Sequence, residues 1–93
     1  MKPKIGRKVY CIYGTGIMVD YVGYVGKDSF IVEGYGLSTY PSSWEWNYDV
    51  YGKRWFTNLS EAKKVLIDIY KERYENKLKI VKIADDWYAL EFC

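Results

Sequence analysis

Short apolar runs separated by glycine turns, on either side of a single stretch with helical periodicity, constrain this chain more than any other feature. The run 9–13 closes on Gly14-Thr15-Gly16, where glycines are free to take positive φ. Residues 17–25 then alternate, with Ile17, Val19, Tyr21, Gly23 and Val25 on one parity and Met18, Asp20, Val22 and Tyr24 on the other. That pattern predicts a strand and, with the first run, a hairpin. Gly26-Lys27-Asp28 supplies the next turn and residues 29–33 a third strand. Gly23 in mid-strand predicts a bulge or bend, the device by which a short sheet curls toward a barrel.

Residues 34–43 are turn-rich (Gly34, Gly36, Ser38, Pro41, Ser42, Ser43) and carry Tyr35 and Tyr40, which predicts an irregular loop. Over 44–51, Trp44, Trp46 and Tyr48 alternate with Glu45, Asn47 and Asp49, as in an edge or hairpin strand. Gly52-Lys53 then turns into Arg54-Trp55-Phe56. A helix is predicted over about 58–75. Asn58 caps it with Glu61 reaching back. Leu59, Ala62, Val65, Leu66, Ile69 and Tyr70 form one apolar stripe, and Lys64, Asp68, Lys71, Glu72 and Glu75 lie away from it as a solvated face. Residues 78–83 and 87–92 read as a C-terminal hairpin turning at Ala84-Asp85-Asp86. The expected fold is α+β: a small curled antiparallel sheet, a partly open SH3-like barrel, with one amphipathic helix and a C-terminal hairpin. Nothing repeats and no linker interrupts the chain, so residues 1–93 read as a single domain.

Histidine is absent, which removes Cys/His and Ser/His nucleophile pairs, the common zinc ligand sets and any group titrating unperturbed near neutrality. The acidic residues fall mostly in turns and on outer faces, and none forms a constellation with separated proton affinities. Asp85-Asp86 lacks further acidic ligands at useful spacing. Gly14-Thr15-Gly16 lacks both a third glycine and a Gly-Lys-Ser/Thr ending, so it reads as a hairpin turn and not as a phosphate loop. The chain is expected to be no enzyme and to carry no cofactor and no metal. It shows neither the continuous apolar stretch of a membrane span nor a cleavable leader, which predicts a cytoplasmic protein. With only two cysteines it is no disulfide-stapled scaffold, and Cys11, inside an apolar run, reads as a small buried hydrophobe.

Aromatic residues make up 19% of the chain, eleven of them tyrosine and four tryptophan. Such rings suit positions buried on one side and wet on the other, and in a small sheet much of this number serves packing. The richest stretch, 35–55, offers a binding surface, since rings in and beside a loop are where interfaces place their anchors. Tyr40, Trp44, Tyr48 and Tyr51 are the candidate anchors, and Lys53 and Arg54 the orienting cations. Trp44 and Trp46 have a structural reading as well, as caps on the open end of the barrel. Rings beside cations are also how single-stranded nucleic acid is held, although Glu45 and Asp49 in the same segment oppose a phosphate backbone. Charge alternates in blocks along the chain, with a net of only +2, and does not make the basic footprint of a duplex-DNA binder. Binding to a protein leads. A single-stranded nucleic-acid module and a structural or self-associating subunit are the alternatives.

Three segments carry a resemblance: Ile5-Gly6-Arg7-Lys8-Val9-Tyr10, Val25-Gly26-Lys27-Asp28-Ser29-Phe30-Ile31-Val32, and the stretch from Tyr51-Gly52-Lys53-Arg54-Trp55-Phe56 through Thr57-Asn58-Leu59-Ser60-Glu61-Ala62-Lys63-Lys64. Over most of residues 5–66 the chain resembles small uncharacterised proteins encoded by phages and mobile elements of Gram-positive bacteria. The resemblance implies an accessory factor in the host cytoplasm. Some proteins of that kind are inhibitors that bind a host defence protein such as a CRISPR nuclease. It carries over no functional residue, and the positive net charge departs from the acidic nucleic-acid mimics among such inhibitors.

Overall fold

Valine, isoleucine and tyrosine dominate the first apolar run, and in the computed structural model this run becomes the strand around which the rest packs. The structure describes residues 2–33, 43–74 and 78–92. Strand β1 (Lys8–Tyr13) pairs antiparallel with β2 (Gly16–Val25), from Lys8 opposite Tyr21 to Tyr13 opposite Gly16. Gly14 makes the turn at φ 58°, a conformation that a residue with a Cβ adopts only at a cost. β3 (Ser29–Glu33) and β4 (Ser43–Asn47) continue the meander beyond β2. The two-residue β5 (Trp55–Phe56) returns to pair with β1 through Tyr10–Phe56 and Cys11–Trp55. The order is β4-β3-β2-β1-β5. The register of β2 against β3 shifts between Val22 and Tyr24, so the bulge expected at Gly23 is present and helps curl the sheet into an antiparallel half-barrel.

The C-terminal hairpin, β6 (Leu78–Ala84) and β7 (Trp87–Phe92), joins this sheet at β2, where Gly16, Ile17 and Met18 pair with Ala89, Tyr88 and Trp87. One edge of β2 is thus divided between β7 at its start and β3 from Tyr21 onward. The seam falls at Val19 and Asp20, where the Val19 N–H donates to the Asp86 carbonyl at 2.8 Å. Gly16 permits this approach, because a Cβ there would meet Trp87 Nε1 at 3.1 Å and the Tyr88 carbonyl oxygen at 3.2 Å.

Because strand side chains alternate between faces, β1 feeds two cores. Val9 and Cys11 join Val22, Phe30, Val32, Trp46 and Trp55 inside the curl. Ile12 joins Ile17, Phe56 and Leu90 on the opposite face, and helix α1 (Leu59–Tyr74) covers that face with Ala62 and Leu66. Neighbours Trp55 and Phe56 point into different cores, so two residues of β5 tie the half-barrel to the helix layer.

Helix α1 starts where the cap predicts: Asn58 Oδ1 accepts from the N–H groups of Ser60 (2.8 Å) and Glu61 (3.3 Å). Replacing Asn58 by alanine orphans these donors and is expected to lower stability by about 1 kcal/mol, read as a fall in the thermal midpoint by circular dichroism. An unchanged midpoint would show the cap to be idle. Two sequence expectations are corrected. Residues 48–51 do not continue β4: Tyr48–Val50 is a 3-10 turn, because the Tyr48 N–H is drawn to the Asp28 carbonyl at 3.1 Å and the Tyr51 N–H to the Tyr48 carbonyl at 3.2 Å. The helix is described from Leu59 to Tyr74, and residue 75, the far end of the predicted span, lies outside the described residues. Ile69, placed on the buried stripe, is 47% exposed at its margin. The predicted loop lies outside the described residues except for Ser43, which opens β4.

Candidate functional site

Of the six side chains expected to form a recognition face, four meet in the corner where the chain leaves β4 and turns back into β5. Tyr48 is half-buried in the 3-10 turn. Its hydroxyl donates to the Gly26 carbonyl at 2.7 Å, and its ring stacks on Phe30 with centroids 5.9 Å apart at 18°. The Lys2 ammonium sits over the same ring, 5.6 Å from its centroid, within the range of a cation–π contact. Tyr51 is also half-buried. Its ring lies against Trp55 at 4.6 Å and 48°, and its hydroxyl is 3.3 Å from Thr57 Oγ1. The turn that follows is closed by the N–H groups of Lys53 and Arg54, both donating to the Val50 carbonyl at 3.0 Å, and leaves both cationic side chains exposed. Trp44 lies on β4 opposite Val32. Tyr40 lies outside the described residues.

The other two indoles of the segment are core. Trp55 is fully buried, meets Phe30 edge-on at 4.7 Å and 76°, and donates through Nε1 to the Asn47 carbonyl at 3.0 Å. Trp46 lies inside the curl beside Tyr13, with ring centroids 5.5 Å apart. This leaves the corner with two anchored, partly exposed phenol rings and two exposed cations. Carboxylates border it. Asp28, Asn47, Tyr48 and Asp49 line a shallow depression of about 450 Å³, and Ser29 hydrogen-bonds Glu45 on the neighbouring strand.

A second polar feature escaped the sequence reading. Asp20 faces the interior of the curl, only 4% exposed, and accepts from the Tyr13 hydroxyl at 3.0 Å. Burial holds its carboxyl above the usual range, hydrogen bonds from Tyr13 and Cys11 pull it back in part, and Asp86 across the seam pushes it up again. Burial and the nearby Asp20 also raise Cys11 and Tyr13, so both stay protonated as donors. An alternating pattern marks Asp20 as one polar residue among strand positions and gives no sign that its face is enclosed on both sides.

The C-terminal hairpin carries a third feature. Trp87 and Ile83 are 40% and 50% exposed, and neither was singled out by sequence. Among the described residues, no group of three or more metal-ligating side chains converges, and no helix is long and apolar enough to cross a membrane. Compared with known protein families, with curated proteins and with solved structures, the chain matches none of them.

Proposed function

We propose that this domain is a non-catalytic protein-binding module, an accessory factor of the phage or mobile-element type that docks a host protein through the corner at residues 48–54. The observation that carries the reading is the Tyr48 ring: anchored from below by Phe30 and Gly26, bordered by Asp28 and Asp49, and already holding a cation, Lys2, on its face. Rings fixed in place lose little conformational freedom on binding, which is why tyrosine serves as an interface anchor. Tyr51 adds a second ring, and Lys53 and Arg54 supply charges that orient a partner. Tyr40 and Trp44 remain candidate anchors of the same face. The partner class implied by the sequence resemblance is a host defence protein, such as a nuclease, which the domain would inhibit by occupying it.

We further infer that the half-barrel is a partly open SH3-like barrel. The meander of four strands, the 3-10 turn and the short last strand returning to β1 support that reading. The carboxylates at Asp28 and Asp49 favour protein over nucleic acid, because they repel the phosphates that Lys53 and Arg54 would attract.

The test is capture of host proteins by the wild type and by the double variant Lys53→Glu, Arg54→Glu, whose side chains lie outside both cores. Recovery of the specific partner is expected to fall at least tenfold with an unchanged thermal midpoint. Equal recovery would remove the corner from the interface. In parallel, a labelled oligothymidine should show no binding at low salt. Tight binding that falls steeply with salt would replace this reading with the nucleic-acid module.

A further inference from the structure

The segment before β1 is folded back onto the sheet. The Gly6 N–H donates to the Val22 carbonyl at 2.7 Å, the Arg7 N–H donates to the Lys4 carbonyl at 3.0 Å, and Pro3 is buried. Lys2, next to that buried proline, is exposed, and its ammonium lies 5.6 Å from the centroid of the Tyr48 ring. Among the described residues Lys2 makes no ion pair, so the ring is what holds its charge. A cation–π contact at an exposed site is weak, and a lysine held in this way exchanges readily with a competing cation.

The same ring forms one wall of the depression that Asp28, Asn47 and Asp49 complete. Both carboxylates are exposed and, among the described residues, neither pairs with a cation. Acids alone would mark no site. Here the chain's own ammonium is already seated on the ring beside them, which shows what the ring face accepts. Other ligand classes fit less well. A phosphate or carboxylate meets two like charges. A divalent ion needs several converging oxygen ligands, and no group of three or more metal-ligating side chains converges among the described residues. A purely apolar group strips water from the carboxylates and offers them no partner. An ammonium or guanidinium on an alkyl stem suits both walls, with its charge toward the acids and its stem along the ring.

We infer that the depression at Asp28, Tyr48 and Asp49 receives one lysine or arginine side chain of the partner, and that Lys2 holds the Tyr48 ring until that side chain displaces it. The inference rests on the corner being the docking face and names what docks there. The partner segment carries a cation for the depression beside an acid for Lys53 and Arg54. Tyr48 is fixed for this role before anything binds, by its hydroxyl on the Gly26 carbonyl and its stacking on Phe30. Lys2 is a built-in competitor and lowers the affinity for every incoming cation.

Nuclear magnetic resonance titration of the whole chain tests the assignment. The probes are Nα-acetyl-lysine methylamide and Nα-acetyl-arginine methylamide, with the uncharged norleucine analogue as control. A cationic probe is expected to move the Tyr48 ring signals saturably and to shift the Lys2 side-chain signals toward those of an unstructured lysine, while norleucine moves neither. The tighter of the two cationic probes names the side chain. Lys2→Ala removes the competitor and is expected to tighten probe binding about two- to fivefold. Asp28→Asn combined with Asp49→Asn is expected to weaken it about threefold. All three side chains are exposed, so the thermal midpoints should not change. No saturation with either cationic probe, equal movement by norleucine, or a Lys2→Ala affinity equal to that of wild type would overturn the proposal. The corner itself is judged separately. Partner recovery that is lost in Lys53→Glu, Arg54→Glu but unchanged in Asp28→Asn, Asp49→Asn would leave the docking face standing and remove this pocket.

Discussion

Replacing Trp55 by alanine is expected to cost about 3–5 kcal/mol and to leave the domain largely unfolded near its present thermal midpoint. Four effects coincide at this residue. Its side chain is fully buried in the half-barrel core, so removal deletes the transfer free energy of an indole and leaves a cavity. Its edge-on contact with Phe30 and tilted contact with Tyr51 disappear. The Asn47 carbonyl loses its donor at 3.0 Å, a hydrogen bond worth about 0.5–1.5 kcal/mol net. Finally, β5 is two residues long, so beyond its own pairs only the Ile12 N–H to Arg54 carbonyl bond at 2.8 Å extends the return to β1. Domains of this size have a total stability of about 5–15 kcal/mol, and each kcal/mol lost lowers the midpoint by about 4–8 °C. Trp55→Phe separates the contributions: it keeps a ring and loses the Nε1 donor, and should fall between wild type and alanine. Thermal unfolding by circular dichroism reads both. An alanine variant within about 1 kcal/mol of wild type would mean that the half-barrel does not depend on this indole, against everything its burial implies.

The same residues show what sequence could and could not give. The hairpins at Gly14 and Gly26 and the bulge at Gly23 were legible because glycine marks them locally, and the helix start was legible because a cap is a local motif. The end of β4 was not. Trp44, Trp46 and Tyr48 keep strand alternation on paper, yet the chain turns after Asn47 under hydrogen bonds to Asp28 and Gly26, partners some twenty residues away that periodicity cannot register. The candidate corner was half legible. Its tyrosines and cations stand out by type, whereas the division between core indoles (Trp46, Trp55) and partly exposed phenols (Tyr48, Tyr51) depends on which strands close around them. Trp87 and Ile83 gave no signal, because their exposure depends on how the C-terminal hairpin joins the sheet, a matter of topology and not of pattern.

Asp20→Asn is expected to change the pH dependence of stability, and the sign follows from the surroundings of the carboxyl. Burial dominates and raises its proton affinity above the ordinary value of 3.8. The groups facing it are the Tyr13 hydroxyl and Cys11 thiol from β1, both held protonated, and the Asp86 carboxylate from the β6–β7 turn, a like charge. The folded state therefore binds this proton more tightly than the unfolded chain does. The resulting stabilisation is complete below pH 3.8 and is lost as pH rises through the elevated folded value, at about 1.4 kcal/mol per pH unit within that window. Above it, folding keeps a carboxylate enclosed beside Asp86 at the seam between β3 and β7. An asparagine accepts the same Tyr13 hydrogen bond and carries no charge at any pH. The variant should thus be more stable than wild type at pH 7–8, with the advantage shrinking or reversing toward acid. Taking the difference between the two unfolding profiles cancels the contributions of carboxylates remote from Asp20 and leaves Asp20 with its neighbour Asp86. A difference that stays flat from pH 3 to 8 would mean that Asp20 titrates identically folded and unfolded, and that the seam tolerates its charge.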